Sequence, residues 1–142
     1  MANILDGKKI SAQVLEWVKA ETGKLAQKGI IPGLATVLVG DDPASHVYVG
    51  QKIKKSEACG QKPFPRPFPA TVSQAELLSV VQELNNDPQV HSILVQLPLP
   101  KHLDPEPIIL AIDPKKDADG LHPLNQGLVG RLKSWKEIVV LL

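Results

Sequence analysis

The sequence has few of the residues and runs that define whole classes of protein. It contains one cysteine, Cys59, so it can form no internal disulfide and no cysteine-based zinc site. A lone cysteine fits a reducing compartment, and we expect Cys59 to be a small buried apolar residue. No stretch reaches the roughly 18 consecutive apolar residues of a membrane span, and the first residues show no signal or transit pattern. We therefore expect a soluble, cytoplasmic protein.

The sequence also lacks an excess of charge and the usual nucleotide-binding motifs. Sixteen Lys and Arg face fifteen Asp and Glu, so the formal net charge is +1, and we expect neither nucleic acid nor a membrane as a partner. No P-loop is present, and no two of the ten glycines are separated by one residue, as a dinucleotide-binding turn requires. We therefore expect this chain alone to bind no nicotinamide cofactor tightly.

The elements can be predicted from apolar periodicity, capping residues and prolines. The chain has 142 residues, enough for one domain with a packed core. The predicted elements are a helix over 6–28, a strand over 34–40, a helix over 44–58, an edge strand or polyproline segment over 63–69, a helix over 73–86, a strand over 90–100, a short helix within 105–114, a turn-rich loop over 115–127, and a helix or strand over 134–142.

This order of elements predicts an α/β fold. We expect a small parallel sheet with helices on both faces, a three-layer αβα domain. In such sheets, ligands bind beyond the carboxyl ends of the strands. The apolar face of the first helix is predicted from five periodic positions, which are Ile10, Val14, Trp17, Val18 and Leu25.

The second predicted helix carries a phenol and two amines on one face. Tyr48, Lys52 and Lys55 are spaced i, i+4 and i+7. A solvated basic face is the plainer interpretation of such lysines. The helix begins directly after a buried strand, however, so its first turns face the ligand-binding crevice. A lysine that lines such a crevice can serve as an acid or a base.

Gln96 is the one polar side chain within the apolar stretch ILVQLPLP. A buried amide without partners costs about 1 to 3 kcal/mol, so Gln96 must be hydrogen-bonded. One alternative is a backbone partner across the sheet, as is usual for buried amides. The functional alternative is a bond to Lys52 or to a ligand.

Two acids, Asp117 and Asp119, lie two residues apart in KKDADG. A calcium loop needs further oxygen ligands and a closing glutamate that this stretch does not supply, so we expect no metal. The remaining alternatives are a solvated turn and a single aspartate that accepts hydrogen bonds from the amine groups of a ligand. The histidines show no ligand-like spacing, and we expect surface or supporting roles for them. They are His46, His91, His102 and His122.

Three separated motifs resemble one enzyme family. They are S-x-x-Y-x-x-x-K in SHVYVGQK, the strand ILVQLPLP and the loop DPKKDADGLHPLN. With the opening ILDGKKIS and the stretch LVGDDPASHVY, they are similar to the bifunctional methylenetetrahydrofolate dehydrogenase and methenyltetrahydrofolate cyclohydrolase family of one-carbon metabolism. The resemblance covers about residues 3–130.

The resemblance implies a catalytic or binding role for each matching residue. Lys52 matches the catalytic lysine that handles the proton transfers, and Gln96 matches the glutamine that bonds to it. Tyr48 matches the tyrosine that stacks on the p-aminobenzoyl ring of the folate. Asp119 matches the aspartate that holds the pterin ring. The wall against which the folate lies is matched by Val95, Leu97 and Pro98.

The resemblance also implies a domain division and partners. It predicts a folate-binding catalytic domain over 1–130, the catalytic half of a two-domain family, and leaves 131–142 unassigned. The NAD(P)-binding Rossmann domain of the family is expected to be absent from this chain. The complete enzyme would use tetrahydrofolate derivatives with NADP or NAD and form a homodimer. We expect this chain to be a monomer or a weak dimer.

The sequence departs from the family in two places, and other functions stay open. The family leads into a strand where Gly60 is followed by QKPFPRPFPAT, and it has valine where this chain has Ala118. A truncated, inactive folate-binding module is the alternative to an active enzyme half. A phosphate-accepting receiver domain ranks last, because the strand that should end in an acceptor aspartate ends at Gln96.

Overall fold

The structure is a computed structural model that describes residues 6–131. The helices in this range are α1 (Gly7–Ala26), α2 (Pro43–Ala58), α3 (Gln74–Asn86), α4 (Pro105–Ala111) and α5 (Pro123–Val129), and the strands are β1 (Gly33–Val39), β2 (Lys62–Phe68) and β3 (Ser92–Val95). The element predicted over 134–142 lies outside the described residues. Among the helices between residues 6 and 131, none has both the length and the hydropathy that a membrane crossing requires.

The three strands form one parallel sheet in the order β2-β1-β3. Leu34 of the central strand β1 pairs with Pro63 on one side and with Ser92 on the other. Parallel neighbours need crossover connections, and α2 and α3 provide them between successive strands. The predicted α/β class with a small parallel sheet is confirmed.

Alternate residues of each strand point to opposite faces of the sheet. Different helices cover these two faces. Odd-numbered residues of β1 and β3 pack in a core with α3 and α4. On the other face, Leu34 and Leu94 line a recess together with residues of α1 and α2. The core consists of Ala35, Val37, Val39, Val72, Leu77, Val81, Leu84, Val90, Ile93, Val95, Leu103, Ile108 and Ile112.

The proline-rich segment is the edge strand β2. Lys62, at its start, donates its backbone N–H to the Pro32 carbonyl oxygen at 2.8 Å, towards β1. Along a strand, the N–H groups of successive residues point to opposite sides, so every second N–H of β2 would point away from β1. At β2 those residues are Pro63, Pro65 and Pro67, which have no N–H, so the sheet loses no donor. The alternating prolines are thus compatible with a strand because β2 has only one paired side.

The buried face predicted for the first helix is wrong in part. Three of its predicted residues are about half exposed, which are Ile10 (51%), Val14 (50%) and Trp17 (52%). The side of α1 towards the sheet carries Leu15 and Val18 instead, and the buried Thr22 hydroxyl donates to the Cys59 carbonyl oxygen. Apolar residues occupy two adjacent stripes of this helix, so the helical period alone does not tell which stripe is buried. Cys59 itself is buried, as predicted.

Two predicted boundaries also need correction. Strand β3 ends at Val95 rather than at residue 100, since the prolines that follow cannot donate to a ladder. Helix α5 begins at Pro123, within the predicted loop over 115–127, and extends beyond it to Val129. Proline at the first helical position is a start signal, and the surrounding turn residues obscured it in the sequence.

Candidate functional site

Lys52 and Gln96 meet at the carboxyl edge of the sheet. The Lys52 Nζ atom donates a hydrogen bond to Gln96 Oε1 at 3.2 Å. The other end of the amide is also held, because Gln96 Nε2 donates to the Leu97 carbonyl oxygen at 2.7 Å. The alternative of a bond to Lys52 is therefore confirmed. The backbone partner is the adjacent Leu97 rather than a residue across the sheet. Both residues are half-buried, so the amine is held in place but still reachable.

Tyr48 lies one turn before Lys52 on α2 and is 59% exposed. The start of this helix is held by Asp42, which accepts bonds from the Ser45 amide at 2.8 Å and the Ser45 hydroxyl at 2.7 Å. The chain turns into the helix at Gly40, whose φ of 81° suits glycine. An exposed aromatic ring next to a half-buried amine can pack against the flat face of a ligand.

The cap of α2 leads to a pH-dependent stability that can be measured. The hydroxyl and amide of Ser45, with the nearby His46, hold the pKa of Asp42 below its ordinary value of 3.8. The ionised form is therefore favoured by folding, and its stabilising effect is complete above that ordinary value. The effect is lost as the pH falls through the lowered pKa of the folded state.

We expect Asp42→Ala to lower the free energy of unfolding at neutral pH and to differ less from the parent chain in acid. Urea unfolding at a series of pH values measures this difference. Asp41→Ala is the matched control, because the Asp41 side chain is 99% exposed. The expected pH dependence would be contradicted if the free energy of unfolding of Asp42→Ala were lower than that of the parent chain by the same amount from neutral pH to about pH 3.

A cavity of about 320 Å³ lies between α1, α2 and the sheet, beside Lys52. Its wall is mostly apolar, and Lys52 and Lys55 both line it, which confirms that the two amines share a face of α2. Ala118 lines it from the opposite side, at the position where the family has valine. None of the described residues that line this cavity is acidic. Lys55 is therefore part of the surroundings of Lys52 rather than of an unrelated surface.

The two acids of the KKDADG loop lie in different environments. Asp117 is 6% exposed, whereas Asp119 is exposed. The loop runs beside β3 through a parallel bridge between Ile93 and Asp117. Asp117, Asp119 and Val95 all line one narrow cleft between β3 and α4. The two acids differ in burial and in hydrogen bonding: the Asp117 carboxylate accepts bonds from its own loop, whereas the Asp119 side chain is exposed to solvent.

The matched wall residues follow one another at the end of β3. Val95 is buried, Leu97 is half-buried and Pro98 is exposed, with a cis peptide bond between the last two. The structure thus groups Lys52 with Gln96 and Val95 with Asp119. Among the described residues, Lys52 lines the cavity beside α1 and α2, whereas Asp119 lines the narrow cleft between β3 and α4.

The histidines all contact backbone atoms. The ring contacts are His46 Nε2 to the Gly40 carbonyl oxygen (3.2 Å), His91 Nδ1 to the Gly33 amide (3.0 Å), His102 Nε2 to the Val72 carbonyl oxygen (2.9 Å) and His122 Nδ1 to the Leu124 amide (3.1 Å). In the described part of the chain, no group of three or more His, Cys, Asp or Glu is placed to hold a metal ion.

Two polar residues that the sequence analysis did not single out organise the KKDADG loop. The Lys116 amine donates to three carbonyl oxygens at the end of α3, at 2.7 to 3.1 Å. Asn125 is only 4% exposed, and its Nδ2 donates to Asp117 Oδ2 at 2.9 Å. A lysine in a charged loop and an asparagine after a proline carry no distinguishing sequence pattern. Their partners are known only once the chain is folded.

This geometry defines a class of protein: a parallel α/β domain with an amide-held lysine and an exposed aromatic ring at the carboxyl edge of its sheet. Residues 5–119 match the family described as tetrahydrofolate dehydrogenase/cyclohydrolase, catalytic domain. The chain belongs to this family.

Similar proteins are bifunctional FolD proteins. The chain is 52% identical over 131 residues to the bifunctional protein FolD of Brucella anthropi, covering 92% of this chain and 44% of that protein. It superposes on the bifunctional FolD enzyme of Campylobacter jejuni with a TM-score of 0.89 and 44% identity, covering 93% and 47% of the two chains. It also superposes on Trypanosoma brucei FolD, solved with NADP and an inhibitor, with a TM-score of 0.86 and 38% identity. This match covers 90% of this chain and 44% of the other. The chain spans about half the length of these relatives.

Proposed function

We propose that residues 1–130 are the folate-binding catalytic domain of an enzyme that interconverts 5,10-methylene-, 5,10-methenyl- and 10-formyltetrahydrofolate. The observation that carries this proposal is the hydrogen bond from Lys52 Nζ to Gln96 Oε1. It brings together two site residues from motifs that are far apart in sequence. The family match and the FolD relatives support the same activity.

The folate would lie across the carboxyl edge of the sheet. The exposed Tyr48 ring is suited to stack on the p-aminobenzoyl group. The Asp119 carboxylate is exposed and can accept hydrogen bonds from the pterin amines. The wall between these two contacts is formed by Val95, Leu97 and Pro98.

Lys52 would carry the proton transfers of the hydrolytic step. Water adds to the methenyl carbon, and the bond from that carbon to N5 breaks, which leaves a formyl group on N10. The attacking water loses one proton when it adds, and N5 gains a proton as its bond to the carbon breaks. The remaining hydroxyl proton leaves to solvent as the formyl C=O forms. Because Gln96 Oε1 holds the Lys52 amine at the edge of the sheet, the amine can accept the proton that the attacking water loses and deliver the one that N5 gains.

The dehydrogenase step needs a nicotinamide dinucleotide, and the Trypanosoma brucei relative was solved with NADP. Residues 6–131 do not fit such a group, because the sequence has no glycine-rich turn of the kind that cradles a pyrophosphate. We therefore propose that NADP or NAD is held by residues outside this range.

Tyr48→Ala is expected to weaken the binding of 5-formyltetrahydrofolate to the 142-residue chain about tenfold, since stacking of this kind is worth about 1 to 3 kcal/mol. Isothermal titration calorimetry measures the dissociation constant. Val47→Ala is the matched control, because Val47 is adjacent and 58% exposed. No binding by the parent chain, or equal losses in the two variants, would contradict the proposal.

Two further properties stay predictions from the sequence. These are a cytoplasmic location and a monomer or weak dimer in solution. Light scattering at micromolar concentration measures the second property directly.

A further inference from the structure

The loop that carries Asp119 is folded around a buried carboxylate. Asp117 is 6% exposed, and its oxygens accept hydrogen bonds from the amides of Leu121 at 3.3 Å and His122 at 2.9 Å. Asn125 provides a third donor at 2.9 Å. A buried carboxylate needs several donors to replace its lost hydration, and this turn supplies them from both backbone and side chain.

Asn125 ties together the two ends of this turn. Its Nδ2 also donates to the Pro114 carbonyl oxygen at 2.8 Å, so a single amide bonds to the chain before and within the loop. Between these ties, the Ile93 amide donates to the Lys116 carbonyl oxygen at 2.6 Å, which fixes the loop against β3. The backbone on both sides of Asp119 is therefore held, with Asn125 as the buried centre.

Asp119 itself has no such support. Its side chain is exposed, and within residues 6–131 it makes no hydrogen bond. It is followed by Gly120, whose φ of 65° sets the direction of the turn. The direction in which the Asp119 carboxylate points is thus decided by the backbone that Asp117 and Asn125 hold.

We propose that Asp117 and Asn125 are positioning residues that hold the Asp119 carboxylate in the orientation in which it binds the pterin ring. This inference rests on the proposed function of the same site. We assign neither residue a contact with the folate, because Asp117 is only 6% exposed and Asn125 only 4%. Without the buried pair, the loop can still fold beside β3, but the carboxylate samples several directions and meets the pterin amines less often.

A double-mutant cycle separates positioning from a general effect on stability. Asn125→Ala is expected to weaken the binding of 5-formyltetrahydrofolate about tenfold in the parent chain. In an Asp119→Ala background, the same change is expected to alter the dissociation constant less than about twofold, because the carboxylate that it positions is gone. Its effect on the melting temperature should be equal in both backgrounds.

Gln126→Ala is the control, since Gln126 lies next to Asn125 and donates to the Leu121 carbonyl oxygen from the exposed side at 3.2 Å. It should leave the dissociation constant unchanged. If Asn125→Ala does not fold, as judged by circular dichroism, Asp117→Asn takes its place in the cycle, because it keeps the shape of the side chain.

The inference would be overturned if Asn125→Ala lowered the affinity equally in the parent chain and in the Asp119→Ala background, or lowered it in neither. The proposal that the chain binds folate would not be affected by these results. A parent chain that binds no folate would overturn the proposed function instead, and the inference with it. The two failures are therefore distinguished by the titration of the parent chain.

Discussion

Lys52→Met is expected to reduce the hydrolysis of 5,10-methenyltetrahydrofolate by at least about 100-fold, since a positioned acid–base group typically contributes 10²- to 10⁴-fold. Methionine keeps the length and the apolar stem of the side chain but removes the titrating nitrogen. The measurement is the loss of methenyltetrahydrofolate absorbance above the spontaneous rate. It is best made in a chimera that joins residues 1–130 to the remaining part of the Brucella anthropi relative, which is 52% identical over the matched residues.

The matched control is Lys54→Met, because Lys54 is an exposed neighbour that does not line the cavity. Lys55 is not suitable as a control, because it shares a face of α2 with Lys52 and lines the same cavity. Gln96→Ala should lower the rate less than Lys52→Met, because the amine remains and only loses its fixed orientation. A Lys52→Met chimera that is folded by circular dichroism and keeps most of the parent activity would contradict the assigned role.

Gly33→Ala is expected to destabilise the fold by at least about 3 kcal/mol, near the upper end of what overpacking costs. A Cβ atom at Gly33 would overlap the Gln89 carbonyl oxygen and lie 2.8 Å from a ring carbon of Phe64. The backbone cannot retreat easily, because Gly33 is bonded to His91 through both its amide and its carbonyl oxygen. Thermal unfolding should show a drop of about 10 °C.

Gly23→Ala is the control for this prediction, because a Cβ atom added at Gly23, within α1, meets nothing within 4 Å. At Gly23 the change replaces a poor helix former with the best one, so the free energy of unfolding is expected to rise by up to about 1 kcal/mol. Equal melting temperatures for Gly33→Ala and the parent chain would show that the start of β1 has more room than the structure indicates.

Features with a local cause could be predicted from the sequence. The Ser73 hydroxyl accepts a bond from the Glu76 amide at 3.2 Å, and the S-x-x-E spacing of these two residues is a helix-start signal visible in the sequence. Gly29 follows α1 with a φ of 77°, the conformation expected after a helix. The shared face of Lys52 and Lys55 follows from the helical period alone. In each case, the residues that decide the outcome are only a few positions apart.

Features that depend on distant partners could not be predicted from the pattern. The apolar residues Val14 and Trp17 looked equivalent to Val18, yet only Val18 lies towards the sheet. Helix α5 has a local start signal in Pro123, but the bond from Asn125 to Asp117, which helps to hold the helix, is not evident from the surrounding turn residues. The sequence indicated that Gln96 needs a partner but left two alternatives open. In the structure Gln96 bonds to Lys52 and to the adjacent Leu97 carbonyl oxygen, not to a backbone group across the sheet.

The sequence by itself determined the order of the elements, the parallel α/β class, the resemblance to the folate enzyme family and the identity of the candidate site residues. The order and the class follow from short-range periodicity and capping, which are properties of neighbouring residues. The roles of the candidate site residues are what the resemblance to that family implies. Only the tertiary structure decided which stripe of α1 is buried, that Lys52 donates to Gln96, and that Asp117 supports the loop while Asp119 stays exposed. The physical reason is that burial and hydrogen bonding depend on which distant segments pack together, and the spacing of residues along the chain does not encode that choice.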